Sequence, residues 1–512
     1  MAGIRLVRGF LTVGAWTMAS RVLGFVRDVM IAAYLGAGPA AEAFLIAFSL
    51  PNMFRRFFAE GAFNMAFVPM FAKRLEAGDD PHGFAEDAFK GLSAVLFIFT
   101  ILGTLAMPWL VWAMASGFAG DERFTLAVLF GRIGFSYIMF ISLVALLSGV
   151  LNAFGRFTEA SLVPVLMNLM FILAMWLASW MGWDMGLTLA WTVPVTGVAQ
   201  FLFTWFAARQ VGYTLTPGIP RMTPALKRLL IIAGPAVLSG GVVQINLIVG
   251  RQVASFTDGA VAWLSYADRL YQLPLGVIGI AIGTVLLPDL SRRLRAGDHD
   301  GGRHSLSRAG EIALALTVPA AVALIVVPLP MVTVLFERGR FTSDDSAATA
   351  QALMIYGLGL PSFVLQKVLQ PVYYARENTR TPFYFALVSM VVNAGIAIGL
   401  SPVIGYTAAA FGTTLAGWAM VALLWIGAAR MGEQTSFDSR FWRRLWRIGA
   451  ASWAMGAVLW VLALWLGPLF YTPGWRVIAL AVLVTLGALS YFGLGQLFRA
   501  FRMSDLKSAM KR

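Results

Sequence analysis

Apolar runs long enough to cross a lipid bilayer follow one another along almost the whole chain. A transmembrane helix needs about 20 mainly apolar residues to cover a hydrocarbon core about 30 Å thick. Of the 512 residues, 59% are hydrophobic and only 12% are charged, whereas a soluble domain carries about 25% charged residues. The sequence therefore predicts an all-α polytopic membrane protein and excludes a soluble enzyme.

Fourteen transmembrane helices are predicted from these runs, which are bounded by glycine, proline and charge. Without the division at Ser401-Pro402 the alternative is thirteen helices, because proline is tolerated within membrane helices. The predicted spans are 8–35, 43–71, 88–116, 124–151, 159–181, 185–208, 225–250, 261–290, 308–336, 347–374, 383–402, 405–430, 446–467 and 474–498.

Basic residues are divided very unequally between the two sides of these helices. Of the 39 lysines and arginines, 27 fall in the terminal segments and loops of one side. Because lysine and arginine are enriched in cytoplasmic loops, both termini are predicted to be cytoplasmic, which requires an even number of spans. The net charge of +14 is thus mainly a topology signal, and its scatter over short loops does not indicate nucleic-acid binding. Five basic residues fall on the opposite side: Arg123, Arg251, Arg338, Arg340 and Arg476.

Several kinds of chemistry are excluded by residue types that the sequence lacks. It has no cysteine, which excludes disulfides, cysteine-ligated zinc and iron–sulfur clusters. It has neither a Gly-Lys phosphate-binding loop nor a His-Glu-x-x-His motif, so an ATPase or zinc protease is not predicted. Arg21 and Arg27 interrupt the first apolar stretch, which predicts a retained helix rather than a cleaved signal peptide.

Two parts of the chain resemble each other at an offset of about 220 residues. Residues 69–79 and 288–298 share proline, leucine, alanine, glycine and aspartate, and Asn168 is echoed by Asn393. Each offset covers six helices, which predicts two parallel lobes of the kind found in alternating-access transporters; chance similarity between helix ends is the alternative. The predicted domains are an N-terminal lobe 1–215, a C-terminal lobe 216–435, and a segment 436–512 containing helices thirteen and fourteen.

Seven basic residues remain inside the predicted spans. An arginine near the bilayer centre costs about 2.5–3.5 kcal/mol on insertion scales, so several of them require a compensating role, such as lining a wet cavity. Most lie on helices one, two and eight, which places them at the predicted lobe interface. The seven are Arg21, Arg27, Arg55, Arg56, Arg132, Arg269 and Lys367, and the acidic residues of the same spans are Asp28, Glu42, Glu60 and Asp268.

The spacing of these charges predicts different roles for them. Arg56 and Glu60 are four residues apart and can pair along helix two, which leaves Arg55 available. Arg21 and Arg27 are separated by about 9 Å along one helix, so they can border a broad cavity that needs a further wall. Guanidinium groups bind phosphate oxygens in pairs and keep their charge. An anionic, phosphate-bearing substrate is therefore predicted, and structural ion pairs with Asp28, Glu60 and Asp268 are the alternative.

Three segments resemble the signatures of a known family. Arg21–Asp28 (RVLGFVRD), residues 50–63 (LPNMFRRFFAEGAF) and residues 266–270 (YADRL) closely resemble those of the MurJ (MviN) lipid II flippases. These belong to the multidrug/oligosaccharidyl-lipid/polysaccharide exporter superfamily. The resemblance implies a transporter, not an enzyme, that moves the undecaprenyl-pyrophosphate-linked peptidoglycan precursor lipid II from the inner to the outer leaflet of the bacterial plasma membrane.

The resemblance also implies roles for individual residues. The family has functionally important cavity arginines at the positions of Arg21, Arg27, Arg55 and Arg269. Supporting charges are expected at Asp28, Glu42, Arg56, Glu60 and Asp268. Helices thirteen and fourteen correspond to a groove thought to take the polyprenyl tail. Some members bind sodium in the second lobe, for which Asn246, Asn393 and Thr413 are weak candidates.

The expected partners are lipid II, membrane lipids and cell-wall synthesis proteins. No organic cofactor is expected; sodium or chloride is a possible bound ion, and the membrane potential is the expected driving force. The rival functions are a cation-coupled multidrug antiporter or another lipid-linked oligosaccharide exporter of the same superfamily. A membrane-embedded enzyme is disfavoured because the outer loops are short and hold only acidic pairs such as Asp344-Asp345.

Overall fold

The computed structural model describes residues 2–55, 62–432 and 435–501. For residues 2–12, 62–65, 233–243, 245–246 and 277–285 it describes the backbone only. Every regular element in the described ranges is helical, which confirms the predicted all-α class. The chain forms two compact units, 1–262 and 263–512. The predicted lobe and tail boundaries at 215 and 435 stay predictions.

The first unit contains ten helices in its described residues, together with the start of α11. Helix α1 packs along α8, α2 packs along α6, and α7 and α8 both pack against α9. The helices are α1 (Ala2–Leu35), α2 (Pro39–Arg55), α3 (Ala62–Ala77), α4 (Pro81–Leu105), α5 (Met107–Met114), α6 (Glu122–Gly134), α7 (Tyr137–Ala153), α8 (Phe157–Met181), α9 (Met185–Gln210) and α10 (Pro224–Ser255).

The second unit continues with the rest of α11 and seven further helices in its described residues. Helix α14 packs between α12 and α16, α15 packs on α16, and α17 packs on both α12 and α18. The helices are α11 (Ala260–Arg295), α12 (His299–Val326), α13 (Pro328–Phe336), α14 (Ser343–Tyr374), α15 (Arg380–Ile404), α16 (Thr407–Ala429), α17 (Ser439–Leu466) and α18 (Arg476–Leu497).

Each predicted span coincides with helical structure in its described residues, but several spans are divided. The predicted helix 88–116 is α4 followed by α5, and 308–336 is α12 followed by α13. A proline stands at the start of both α5 and α13, and proline cannot donate the backbone hydrogen bond that would continue the preceding helix. The span 124–151 is likewise divided into α6 and α7.

The predicted division at Ser401-Pro402 lies three residues too early. Pro402 remains inside α15, and the turn falls at Gly405, whose φ is 60°. Glycine adopts positive φ without the steric cost that a Cβ imposes. Gly405 therefore ends α15, and α16 begins two residues later as a separate helix.

Ten helical segments in the described residues are long and apolar enough to cross a bilayer. They account for ten of the fourteen predicted spans. The other four predictions correspond to α1, to α2 with α3, to α10 and to α11. The number fourteen therefore remains a prediction, whereas the polytopic character of the chain does not depend on it.

Candidate functional site

Arg27 lies on α1 with its guanidinium bound by protein groups. Its Nε and Nη2 donate to Asp28 Oδ1 at 3.0 and 2.8 Å, and its Nη1 donates to Asn168 Oδ1 on α8 at 3.0 Å. The guanidinium also lies 5.7 Å from the centre of the Phe171 ring. Arg27 and Asp28 are only 6% and 7% exposed. This is the structural ion pair that the sequence left as the alternative for Arg27.

A glycine of the arginine motif lies where α8 contacts α1. A Cβ placed on Gly24 would lie 3.4 Å from Asn168 Nδ2. Asn168 Nδ2 donates to the carbonyl oxygen of Ser20 at 2.9 Å, while its Oδ1 accepts from Arg27. Asn168 thus joins two positions of α1 and fixes the orientation of the Arg27 side chain.

Arg21 stands on the same helix in a different environment. It is half-buried, and within the described part of the chain it makes no hydrogen bond or ion pair. An arginine has five N–H donors and stays charged at any physiological pH. The charge and donors of Arg21, unlike those of Arg27, are therefore open to an anionic ligand.

Arg55 is the last described residue of α2 and is half-buried. Its predicted neighbours Arg56 and Glu60 lie outside the described residues. The pairing of Arg56 with Glu60 remains a prediction for this reason.

Glu42 belongs to a charged cluster, which we call the Glu42 cluster, formed with Arg123, Asp121 and Asp258, in which Glu42 and Arg123 are buried and Asp258 is exposed. Glu42 is 1% exposed; its Oε2 accepts from Arg123 Nη1 at 3.2 Å, and its Oε1 accepts from the backbone N–H of Val261 at 3.0 Å. Arg123 Nη2 also lies 2.6 Å from Asp121 Oδ2 and 2.9 Å from Asp258 Oδ1. The cluster joins α2, the start of α6 and the start of α11.

Within the Glu42 cluster, Arg123 favours the ionised form of Asp121. Burial disfavours the charged form of Asp121, but hydrogen bonds from the Arg123 side chain and backbone outweigh it and lower the pKa of Asp121. Arg123 was predicted to lie in an outer loop, yet it is only 6% exposed. Its pairing with Glu42 could not be predicted from the sequence, because Glu42 is 81 residues away.

Asp268 and Arg269 lie on α11 in the second unit. Gln272 Nε2 donates to Asp268 Oδ2 one turn along the helix. Arg269 is exposed, whereas its neighbours Ala267 and Leu270 are buried. The exposed edge of α11 therefore carries the charge that the sequence predicted for a cavity wall.

Two of the three candidates for an ion site, Asn393 and Thr413, have described side chains. Asn393 is 1% exposed on α15, where a Cβ on Gly412 of α16 would lie 2.6 Å from its Oδ1. Thr413 donates its hydroxyl to Ala409 of its own helix at 3.0 Å, and the side chain of Asn246 lies outside the described ones. No group of three or more histidine, aspartate or glutamate residues in the described part of the chain is arranged to hold a metal. A sodium or chloride site remains a prediction.

The fold is one found among membrane transporters. It is similar to that of a multidrug resistance MATE family transporter of the MOP superfamily in an inward-facing conformation, with a TM-score of 0.69 and 16% sequence identity. The match covers 83% of this chain and 98% of that chain. A likeness at this identity concerns the fold alone.

Sequence similarity defines the family. The model of the family described as lipid II flippase MurJ matches residues 31–486. A probable lipid II flippase MurJ of Rhizobium tropici is 45% identical over 435 residues, 84% of this chain and 82% of the relative. A solved structure of lipid II flippase MurJ in an inward closed conformation has a TM-score of 0.79 and 26% identity, and covers 95% of this chain and 98% of its own.

The chain belongs to the lipid II flippase MurJ family, which confirms the resemblance carried by the three motifs. It is accordingly a multi-pass membrane transporter and not an enzyme.

Proposed function

We propose that this protein translocates lipid II from the inner to the outer leaflet of the bacterial plasma membrane by alternating access. Both termini are cytoplasmic in this proposal, as the distribution of basic residues predicts. The supporting facts are membership of the lipid II flippase MurJ family and the arginines of α1, α2 and α11.

The observation that carries the proposal is the contrast between Arg21 and Arg27. Both lie on α1, but Arg27 is bound to Asp28 and Asn168, whereas Arg21 has no hydrogen-bond or ion-pair partner among the described residues. An uncompensated arginine within a membrane is costly unless an anion or water meets it. Arg21 is thus the first ligand we assign to the pyrophosphate.

The two arginines have separate tasks in this mechanism. Arg21 contacts a pyrophosphate oxygen directly and forms charge-assisted hydrogen bonds with it. Arg27 is a positioning residue, because its bonds to Asp28 and Asn168 hold α1 against α8. Arg55 and Arg269 are further proposed ligands of the anionic head group, on α2 and α11.

The proposal is tested by measuring the lipid II accessible in the outer leaflet of cells depleted of the native protein and supplied with variants. We expect R21A to leave lipid II in the inner leaflet and R21K to restore much of the transport, because a lysine keeps the charge. The matched control is R132Q, since Arg132 is also predicted to be intramembrane and makes no hydrogen bond or ion pair in the described residues.

Two outcomes would count against the proposal. Full transport by R21A would show that Arg21 does not bind the pyrophosphate. Unchanged outer-leaflet lipid II after depletion alone would refute the assignment of lipid II as the substrate.

A further inference from the structure

The first turns of α17 hold a surface patch of two arginines and two tryptophans. Trp442, Arg443, Trp446 and Arg447 form it, and we call it the α17 patch. Residues three and four apart on a helix are neighbours, so these four side chains lie side by side. Trp442 and Trp446 are 41% and 64% exposed, and Arg443 is also exposed.

The two arginines of the α17 patch have no carboxylate partner in the described residues. Arg443 Nε donates only to the carbonyl oxygen of Ser439 at 3.4 Å, and Arg447 lies 5.7 Å from the centre of the Trp446 ring. The nearby carboxylate of Glu311 is already bound by Arg444, with Nη1 to Oε2 at 3.2 Å. The described residues therefore do not neutralise the positive charge of the patch.

The spacing of Arg443 and Arg447 makes this charge unfavourable without a ligand. They are four residues apart, and like charges at that spacing destabilise a helix. One phosphate group placed between the two guanidinium groups would convert the repulsion into two charge-assisted contacts. The pair is thus complementary to a single phosphodiester.

The tryptophans indicate where this phosphodiester comes from. Tryptophan is enriched at the level of lipid head groups, with its ring partly in the apolar layer. The predicted span begins at residue 446, and Trp442 is stacked on Trp425 near the end of α16, with ring centres 5.1 Å apart. The α17 patch therefore combines basic and aromatic side chains at the predicted edge of the membrane.

We propose that the α17 patch binds the head group of an anionic phospholipid, with Arg443 and Arg447 on its phosphate and Trp442 and Trp446 beside its glycerol region. The proposed cytoplasmic orientation of this end of α17 puts the lipid in the inner leaflet, where anionic lipids attract basic segments. This site is separate from the arginines assigned to the transported substrate.

The test uses the full chain in a neutral detergent, with short-chain phosphatidylglycerol as the probe and thermal unfolding as the measurement. We expect phosphatidylglycerol, but not phosphatidylcholine, to raise the unfolding midpoint of the wild type. The double variant R443Q/R447Q should bind phosphatidylglycerol about 30-fold more weakly, because each basic residue near the head groups contributes independently. R443K/R447K should keep most of the binding.

The matched control is R295Q. Arg295 is exposed on the same predicted side and its Nε donates to Ser291 O at 3.3 Å, as Arg443 donates to Ser439, but it belongs to no tryptophan patch. R295Q should bind phosphatidylglycerol like the wild type. R21A should do the same even if it fails to transport lipid II, so the two proposals can fail separately.

Three results would overturn the inference. The first is equal phosphatidylglycerol binding by the wild type and R443Q/R447Q. The second is an equal response to phosphatidylcholine, and the third is full competition by inorganic phosphate at the concentration of the lipid. An unfolding midpoint of R443Q/R447Q that matches the wild type without lipid shows that the variant is folded.

Discussion

At the scale of single residues, the intramembrane arginines differ in what surrounds them. Arg27 is held by one carboxylate, one amide and one aromatic ring, whereas the described residues give Arg21 no polar partner. Sequence spacing treats the two alike, since each is an arginine in an apolar helix. Their partners separate a structural role from a binding role.

Removing Arg27 should destabilise the protein much more than removing Arg21. R27A removes the guanidinium that binds the buried carboxylate of Asp28 and should cost about 3–5 kcal/mol in the free energy of unfolding. R21A removes a side chain without protein partners and should change that free energy by about 0.5 kcal/mol or less. Denaturant unfolding in detergent measures both values. Equal losses of stability would contradict the division of roles.

Replacing Arg123 should show how much the Glu42 cluster contributes to the free energy of unfolding. R123Q leaves Glu42, which is 1% exposed, without its guanidinium partner and should lower the free energy of unfolding by about 3 kcal/mol. In a double-mutant cycle, E42Q/R123Q should lose less than the sum of the single variants. R340Q is the control, because Arg340 is exposed and has no ion pair in the described residues. Additive losses would show that the pair is not coupled.

The residues that sequence reasoning missed share one property, which is a partner distant in the chain. In the sequence, Asn168 stands out only through its similarity in position to Asn393, yet its side chain accepts a hydrogen bond from Arg27, 141 residues away. A polar side chain within an apolar span needs a hydrogen-bond partner inside the protein, and this was the signal in the sequence that could have identified Asn168. Arg123 offered none, because its loop position and neighbouring acids are equally consistent with exposure to solvent.

At the scale of elements, charge separates two kinds of helix. Helices α1, α2 and α11 carry Arg21, Arg27, Arg55 and Arg269. A helix that faces lipid must be apolar over its whole exposed face, whereas a helix that lines a wet cavity can keep charge. The charges of these three helices are thus what their proposed role requires.

Asp438 should make the start of α17 sensitive to acid. It caps α17 by accepting from Phe441 N at 2.7 Å, and Arg308 donates to it. Burial raises the pKa of Asp438, but these hydrogen bonds and the nearby positive charges of Arg308 and His304 outweigh it, so the pKa is lowered. Because the pKa is lower in the folded protein, ionised Asp438 stabilises the fold at any pH above the pKa of the unfolded chain, which is about 3.9. This stabilisation is lost as the pH falls through the folded-state pKa.

The variant D438N isolates this charge because asparagine is also a good N-cap. We expect D438N to lower the free energy of unfolding by about 1 kcal/mol between pH 5 and 8. The difference from the wild type should shrink towards zero below about pH 4. Unfolding measured at pH 7, 5 and 3.5 tests this. A difference that stays constant down to pH 3.5 would contradict it.

Helix positions were predictable from the sequence, but helix ends were less so. In the described residues, each apolar run corresponds to helical structure, because backbone N–H and C=O groups in lipid must form their hydrogen bonds within the helix. The sequence alone did not decide which proline ends a helix: α5 and α13 have a proline in their first two residues, whereas Pro402 stays inside α15. The deciding feature was the positive φ at Gly405, a backbone property that composition does not reveal.

At the scale of the whole molecule, two charge distributions coexist in the chain. Of the 39 basic residues, 27 lie in the segments that predict the orientation of the chain and seven lie in its predicted spans. The first set opposes movement of those loops across the membrane. The second set includes Arg21, Arg55 and Arg269, the proposed ligands of the transported anion, so the same residue type both predicts the topology and has a proposed role in transport.

The absence of a nucleotide-binding motif makes the membrane potential the expected source of energy. Moving one charge across the full potential changes the free energy by about 2.3 kcal/mol per 100 mV, so a dianionic head group gains about twice that on leaving a negative interior. Proteoliposomes with a potassium diffusion potential should accumulate lipid II in the positive-side leaflet, and valinomycin with equal potassium on both sides should abolish the accumulation. Protein-free vesicles and R21A proteoliposomes are the controls. Accumulation that is unaffected by the potential would show that another gradient drives transport, because a net anionic head group cannot cross a potential without responding to it.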